Sequence, residues 1–320
     1  MRADGAGATA ARPMQPSEAF PMNDCSPFQT AWVRRLRLGE RPSALDLREH
    51  LLAVHRENAG FTEACAGRCR DAAGRTSYQW LSEVVEPGRH RRVLDLACGS
   101  GRLLSLCVER FAPGVAFLGV DMSAEELALA RERLPAGAAE LRQGLAQDLG
   151  FLADGSVDAV LCHWALTLMD PVRPVLEEVR RVLAPGGVFA AIVDGDMAAA
   201  AGYAEIHHLI YGWVQRELAL YGEVDLGDPR VRDRRALGDL VGEVFGGDAG
   251  ARIETGVMRL AGTPDALARE AAGFFYASFV LSPEAREAML AELAALIADR
   301  AAGAPPAFEM PISRLVVQRP

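Results

Sequence analysis

Lysine is absent from the 320 residues, so all 34 side chains counted together as Lys and Arg are arginines. That excludes Schiff-base catalysis by lysine and the phosphate-binding lysine of a P-loop. Cysteine is scarce and scattered, at positions 25, 65, 69, 98, 107 and 162, with no C-x-x-C pair. Cys65 and Cys69 fall on one helical face, but no histidine stands beside them. No metal site is therefore expected, and reduced thiols in a cytoplasmic protein are the plain reading. No apolar run reaches the ~18 residues of a membrane span, so no membrane contact is expected. Residues 1–20 lack the apolar stretch of a signal peptide, and 1–28 read as disordered. A positive stripe is missing too: the net charge is −9, and the clusters Arg34, Arg35, Arg37 and Arg89, His90, Arg91, Arg92 are short. Nucleic acid is thus not an expected partner.

What is present is a change of rhythm. From Ala31 to Val85 apolar residues recur at three- and four-residue steps, the helical period, until Pro87 and Gly88 stop the pattern. Short, nearly continuous apolar runs then alternate with helical segments: "RVLDLA", "AFLGVDM", "AELRQGLA", "VDAVLCHWAL" and "VFAAIVDGD". Such runs suit strands buried on both faces of a parallel sheet. Right-handed crossovers make it a doubly wound α/β sheet, with the ligand outside the strands' carboxyl ends. Between them, Ser123 reads as a helix N-cap with Glu126 completing a capping box. After Asp196 the alternation stops. Residues 197–245 read as helical and rich in His, Tyr and Trp. A strand "ARIETGVMRL", helices "PDALAREAAGFFYASFV" and "SPEAREAMLAELAALIADRAA", and a last strand "FEMPISRLVVQ" follow. The expected organisation is a disordered 1–28, a helical cap over 29–88, a Rossmann-like core over 89–196, a helical lid over 197–250, and strands and helices completing the core over 251–320.

"VLDLACGSGRLL" (93–104) is a strand, a glycine loop and a helix start. Gly99 and Gly101 are present, but Leu104 replaces the third glycine of a dinucleotide fingerprint. Asp95, just before the loop, would repel a pyrophosphate. It suits instead a ligand with a sulfonium and an ammonium group, as in S-adenosylmethionine (SAM). Asp121 ends the second strand about 20 residues on, where a carboxylate accepts hydrogen bonds from both ribose hydroxyls.

"VLDLACGSG", "GVDMS", "GLAQDLGFLADGSVDAV" and "EEVRRVLAPGGVF", in this order, resemble the signature of class I SAM-dependent methyltransferases. The closest likeness is to the small-molecule branch with the ubiquinone-biosynthesis and natural-product enzymes. The resemblance spans Arg92 to about Asp196. It implies a seven-stranded sheet with its last strand antiparallel, and SAM as cofactor. It also implies roles: Asp95, Ala97, Gly99 and Gly101 around the methionine moiety, Asp121 on the ribose, Met122 on the adenine, and the Ala146 N–H to the adenine ring. Cys162 and His163 would lie by the methionine part and the methyl, and Tyr78 would close over the cofactor. Where the family often carries Asp before that Ala, this chain has Leu145, and Gln147 or Asp148 are the substitutes.

Methyl transfer needs orientation and a dry site, plus a base only when the nucleophile carries a tightly held proton. His163 is the first candidate base, since the ordinary pKa of histidine is about 6.5. Tyr203, His207, Tyr211 and Val214 share one helical face, which lines an aromatic substrate pocket or packs on the core. His207 and Tyr211 are the candidates there. Adjacent helical residues point ~100° apart, so of His207 and His208 at most one is expected to face the site. Asp194 and Asp196 either bind substrate or cap turns. "CHWA" excludes the Asn/Asp-Pro-Pro-aromatic motif of amino-methylating DNA and glutamine methyltransferases, and no radical-SAM cysteine triplet occurs. The expected function is methylation of a small molecule of specialised metabolism. Alternatives are another SAM-dependent reaction such as cyclisation or cyclopropanation, a non-catalytic SAM-binding partner and, last, an oxidoreductase. A homodimer is left open.

Overall fold

The apolar runs pair edge to edge into one sheet, which satisfies backbone groups that no water can reach. The computed structural model describes residues 29–224, 226–247 and 250–320. Its strands are β1 (Arg92–Leu96), β2 (Ala116–Asp121), β3 (Ala139–Gln143), β4 (Val157–His163), β5 (Leu183–Asp194), β6 (Arg252–Ala261) and β7 (Ala307–Gln318). They form a seven-stranded sheet in the order β3-β2-β1-β4-β5-β7-β6. β1 to β5 are parallel, and β7 runs antiparallel to both β5 and β6. This is the expected Rossmann-like sheet with an antiparallel last strand. The strand order reverses between β1 and β4, so the ligand crevice opens above their carboxyl ends. The expectation for 1–28, and Cys25 with it, falls outside the described residues.

The helices are α1 (Ala31–Arg37), α2 (Ala44–Glu57), α3 (Phe61–Ala66), α4 (Ser77–Ser82), α5 (Arg102–Phe111), α6 (Ala124–Arg133), α7 (Arg173–Val182), α8 (Tyr203–Glu217), α9 (Arg234–Phe245), α10 (Pro264–Phe274) and α11 (Pro283–Ala301). Strand alternation divides two cores. Leu94, Leu96, Val160 and Phe189 pack with Val175, Leu176 and Val179 of α7 and Leu240 of α9. Val93, Leu161 and Ile192 face the other core, which holds Trp32 of α1, Ile210 of α8 and Leu293 of α11. Fully burying each such side chain contributes roughly 1.5–3 kcal/mol.

Two boundaries differ from the sequence pattern. β5 starts at Leu183, ahead of "VFAAIV", because Leu183 pairs with Val157 across a register shift. "FFYASFV" does not continue α10: Tyr276 turns to φ 57 and a short 3-10 helix over Ala277–Phe279 follows. Tertiary contacts override the helical propensity there. The Tyr276 ring packs 5.3 Å from Phe61, and its hydroxyl bonds His55 at 3.1 Å.

Gly101 starts α5 at φ 77, and a Cβ there would stand 2.9 Å from the Ala130 Cβ of α6. Gly101→Ala therefore combines a left-handed backbone penalty with a clash. It should lower stability by about 1–2 kcal/mol, read as a lower urea midpoint at unchanged m-value.

Candidate active site

The carboxyl ends of β1, β2, β4 and β5 share one cavity of about 1110 Å³ with residues of α2, α3, α8 and α10. This exceeds the ~300–1,000 Å³ of a typical single-ligand pocket.

One end is built by the glycine loop. Ala97 (φ 56) and Gly99 (φ 50) adopt left-handed turns. Three of the loop's N–H groups are engaged internally: Cys98 donates to the Val120 carbonyl, Gly99 to Asp121 Oδ2 (2.8 Å), and Gly101 to the Cys98 carbonyl. These three N–H groups are thus not offered to a phosphate, unlike those of a dinucleotide cradle. Asp121 lines the cavity while its Oδ1 accepts the Ser123 N–H at 2.8 Å. It is at once a turn anchor and a cavity carboxylate. Each oxygen keeps a second lone pair for a ligand hydroxyl. Met122, Leu145, Ala146 and Gln147 continue the lining. Of the two substitutes for the adenine contact, Gln147 faces the cavity and Asp148 is absent from its wall.

Three of the expected cofactor residues lie behind the wall. Gly101 leans on α6. Cys162 is fully buried in the core under α7, because strand alternation turns it away from His163, and burial raises its thiol to about 12. Asp95 is 1% exposed, and neither carboxylate oxygen has a hydrogen-bond partner among the described residues. Desolvation, reinforced by the Asp121 charge, pushes its pKa well above the usual carboxylate range.

Tyr78 and His163 form one unit. Their rings stack at 3.8 Å with an interplanar angle of 17°, and His163 Nε2 lies 2.8 Å from Ser77 Oγ. Both line the cavity, Tyr78 mostly buried and His163 partly open to it. Burial drops the His163 pKa to about 3, so the ring is neutral at pH 7 and a poor proton acceptor. The ordinary value that recommended it as a base does not apply. Burial also lowers His50 and His207 to about 4 each. Unfolded, all three bind protons below about 6.5, whereas the folded protein does not until pH 3–4. Stability should therefore fall as pH drops from about 6.5 toward 4. Proton NMR should show the His163 ring untitrated across pH 5–8; a midpoint near 6.5 would refute the burial argument.

The helical face on α8 splits. Tyr203, His207 and Tyr211 line the cavity, whereas Val214 is fully buried in the core. His207 stacks on Tyr211 at 3.9 Å. His208 also reaches the wall, at an exposed position, so both adjacent histidines touch the cavity. Asp196 caps the turn after β5 by accepting the Ala198 N–H, whereas Asp194 lines the cavity.

Several partnerships in and behind the wall carried no local sequence signal. Ser77 orients His163 from α4. Ser123 caps α6 as expected, but the Glu126 carboxylate does not return to it. Glu126 Oε1 instead bonds His55 Nδ1 (2.9 Å) and the Gly60 N–H (3.0 Å), because Asp121 already takes the Ser123 N–H. Asp194 accepts from Trp164 Nε1 (3.0 Å) and Arg232 Nε (3.2 Å). These pairs join residues far apart in the chain, and only folding brings them together.

Residues 94–191 match the sequence profile of the family described as "Methyltransferase domain". A demethylmenaquinone methyltransferase of Symbiobacterium thermophilum is 37% identical over 123 residues, 36% of this chain and 48% of that protein. An uncharacterized methyltransferase of Mycobacterium tuberculosis is 43% identical over 169 residues, 51% of this chain and 59% of that one. The matches thus span about half the length of these curated relatives. The fold is also that of a candidate methyltransferase of Bacillus halodurans, with 15% identity and a TM-score of 0.52 over 76% of this chain and 99% of that one. The resemblance to class I SAM-dependent methyltransferases, read from four motifs, therefore holds over the segment that carries them. No helix among the described residues is long and apolar enough to cross a membrane.

Proposed function

We propose that this chain is a SAM-dependent methyltransferase acting on a small molecule of specialised metabolism. The observation that carries this reading is the orphaned Asp95 carboxyl beneath a glycine loop whose Cys98, Gly99 and Gly101 N–H groups are internally engaged. A buried, unpartnered acid at that place fits a ligand bringing an ammonium group, and does not fit one bringing a pyrophosphate. Asp121 would hold the ribose hydroxyls, Met122 and the 145–147 loop the adenine, and Ala97, Gly99 and Tyr78 the methionine part. Asp95 would act through the loop or a water molecule. When bound, SAM supplies an activated methyl group. The chain's own part is to orient the acceptor, exclude water and manage any proton the acceptor carries.

His163 serves in this reading as a neutral, aromatic wall held by Ser77 and Tyr78. The helical segments over 29–88 and 197–250 act as cap and lid, since Leu51, His55, Phe61, His207 and Tyr211 all reach the cavity. The volume left beside the cofactor supports an acceptor of drug-like size rather than a macromolecule. Titration calorimetry with SAM, S-adenosylhomocysteine and NAD, followed by mass spectrometry on an acceptor panel, tests the reading. Binding of SAM and a mass gain of one methyl support it; binding of NAD and not SAM overturns it.

A further inference from the structure

One wall of the cavity carries a polar cluster among aromatic rings. Arg232 lines the cavity and is anchored along one edge: Nε donates to Asp194 Oδ2 (3.2 Å) and Nη2 to the Leu226 carbonyl (2.8 Å). Trp164 Nε1 fixes Asp194 from the other side at 3.0 Å. Nη1 is left over, buried and without a hydrogen-bond partner among the described residues. His207 Nδ1 is in the same condition, with its ring clamped on Tyr211. Two buried donors or acceptors left unmade in one wall are costly in an isolated protein, and such exceptions call for a ligand. Around them, Trp164, Tyr203, Phe274 and Phe275 present flat apolar surfaces to the same cavity.

We propose that Arg232 and His207 form the acceptor subsite for a single ionisable hydroxyl on a planar, largely apolar substrate, a phenol or enol seated as its anion. This rests on the methyltransferase reading above. Three features select that chemistry. A carboxylate prefers two guanidinium nitrogens side by side, but the Nε–Nη2 edge is occupied and Nη2 keeps a single N–H. Nη1, the one nitrogen with no hydrogen bond among the described residues, matches a one-oxygen anion. A buried cationic N–H also gains most from a charged acceptor. Finally, burial, then the neighbouring His208 and the Arg232 charge, hold His207 at about 4, and burial holds His163 at about 3. Neither ring takes a phenol's proton readily, so the cation itself must favour the ionised hydroxyl, whose proton leaves to bulk water. His207, neutral, donates Nδ1–H to the same oxygen. The flat walls stack on the ring that bears it.

The probe is 7-hydroxycoumarin, whose phenol and phenolate absorb at different wavelengths, with 7-methoxycoumarin as the control that cannot ionise. Wild-type protein should bind the hydroxyl compound with the phenolate spectrum at a pH where the free probe is mostly neutral. Arg232→Gln should bind it at least tenfold more weakly and without that spectrum, while binding SAM and 7-methoxycoumarin as wild type does. Should Arg232→Gln fail to bind SAM, as a misfolded chain would, His207→Phe takes its place. There the phenolate band must weaken while SAM binding stays. No phenolate spectrum on wild type, or variants that leave it unchanged, overturns the proposal. A phenolate spectrum on wild type that does not bind SAM would leave the subsite standing and remove the methyltransferase reading instead.

Discussion

Asp121→Ala should weaken SAM binding at least a hundredfold in titration calorimetry. Two hydrogen bonds from ribose hydroxyls to a carboxylate are worth roughly 1.5–3 kcal/mol each when an ionised group takes part, and a hundredfold needs about 2.7 kcal/mol. The substitution does more than delete these contacts. Asp121 also receives the Gly99 and Ser123 N–H groups, so the glycine loop and the start of α6 lose their common anchor. Asp121→Asn keeps one carbonyl oxygen and should fall between wild type and alanine. An affinity for SAM untouched by Asp121→Ala would refute the placement of the ribose. Because the anchor is lost as well, the variant's thermal midpoint should drop even without ligand.

Asp95→Ala should act with opposite signs on folding and on binding. In the unliganded chain both Asp95 oxygens are buried without partners, and removing such a group should stabilise the fold by about 2 kcal/mol. For a chain of 320 residues that is roughly 3 °C in the thermal midpoint. The gain depends on pH. Burial raises the folded pKa of Asp95 above its unfolded value near 3.9, so wild type loses stability as pH rises from about 4 to that folded value. The advantage of the variant should be smallest at pH 4 and level off at higher pH. Affinity for SAM should fall by about tenfold or more, through the lost partner of an ammonium group. Scanning calorimetry across pH, with and without SAM, reads both effects. A variant that is less stable at neutral pH, or one that binds SAM as tightly as wild type, would show that Asp95 is no more than packing.

The core was legible because its signals are local. Strand runs such as "RVLDLA" and "VFAAIV", the Ser123 cap and the proline at the head of α7 each act within a few residues. That Gly99, Asp121, Met122 and Ala146 would share one cavity was legible for the same reason, since they sit at fixed offsets from strand ends. What could not be read depends on burial or on distant partners. The sequence shows a histidine at 163 but not that Tyr78 and Ser77 bury it and lower its proton affinity. It shows alternation in "VLCH" but not which of Cys162 and His163 faces the cavity. Nothing local links Arg232 to Asp194, or Glu126 to His55, and Tyr276 breaks a helical pattern only because Phe61 and His55 hold it from elsewhere.

The sheet order bears on how little of the chain could live alone. The segment that matches the methyltransferase profile ends at residue 191, within β5, and β7 pairs with β5 from Val188 to Asp194. Cut out by itself, that segment would carry Val188–Ala191 as an unprotected edge, a row of unpaired backbone groups flanked by apolar side chains and ready to recruit another chain. The segment that matches the profile is smaller than the sheet it belongs to. β7 covers that edge, and a truncation that removes β7 while sparing every residue proposed to hold the cofactor should still aggregate.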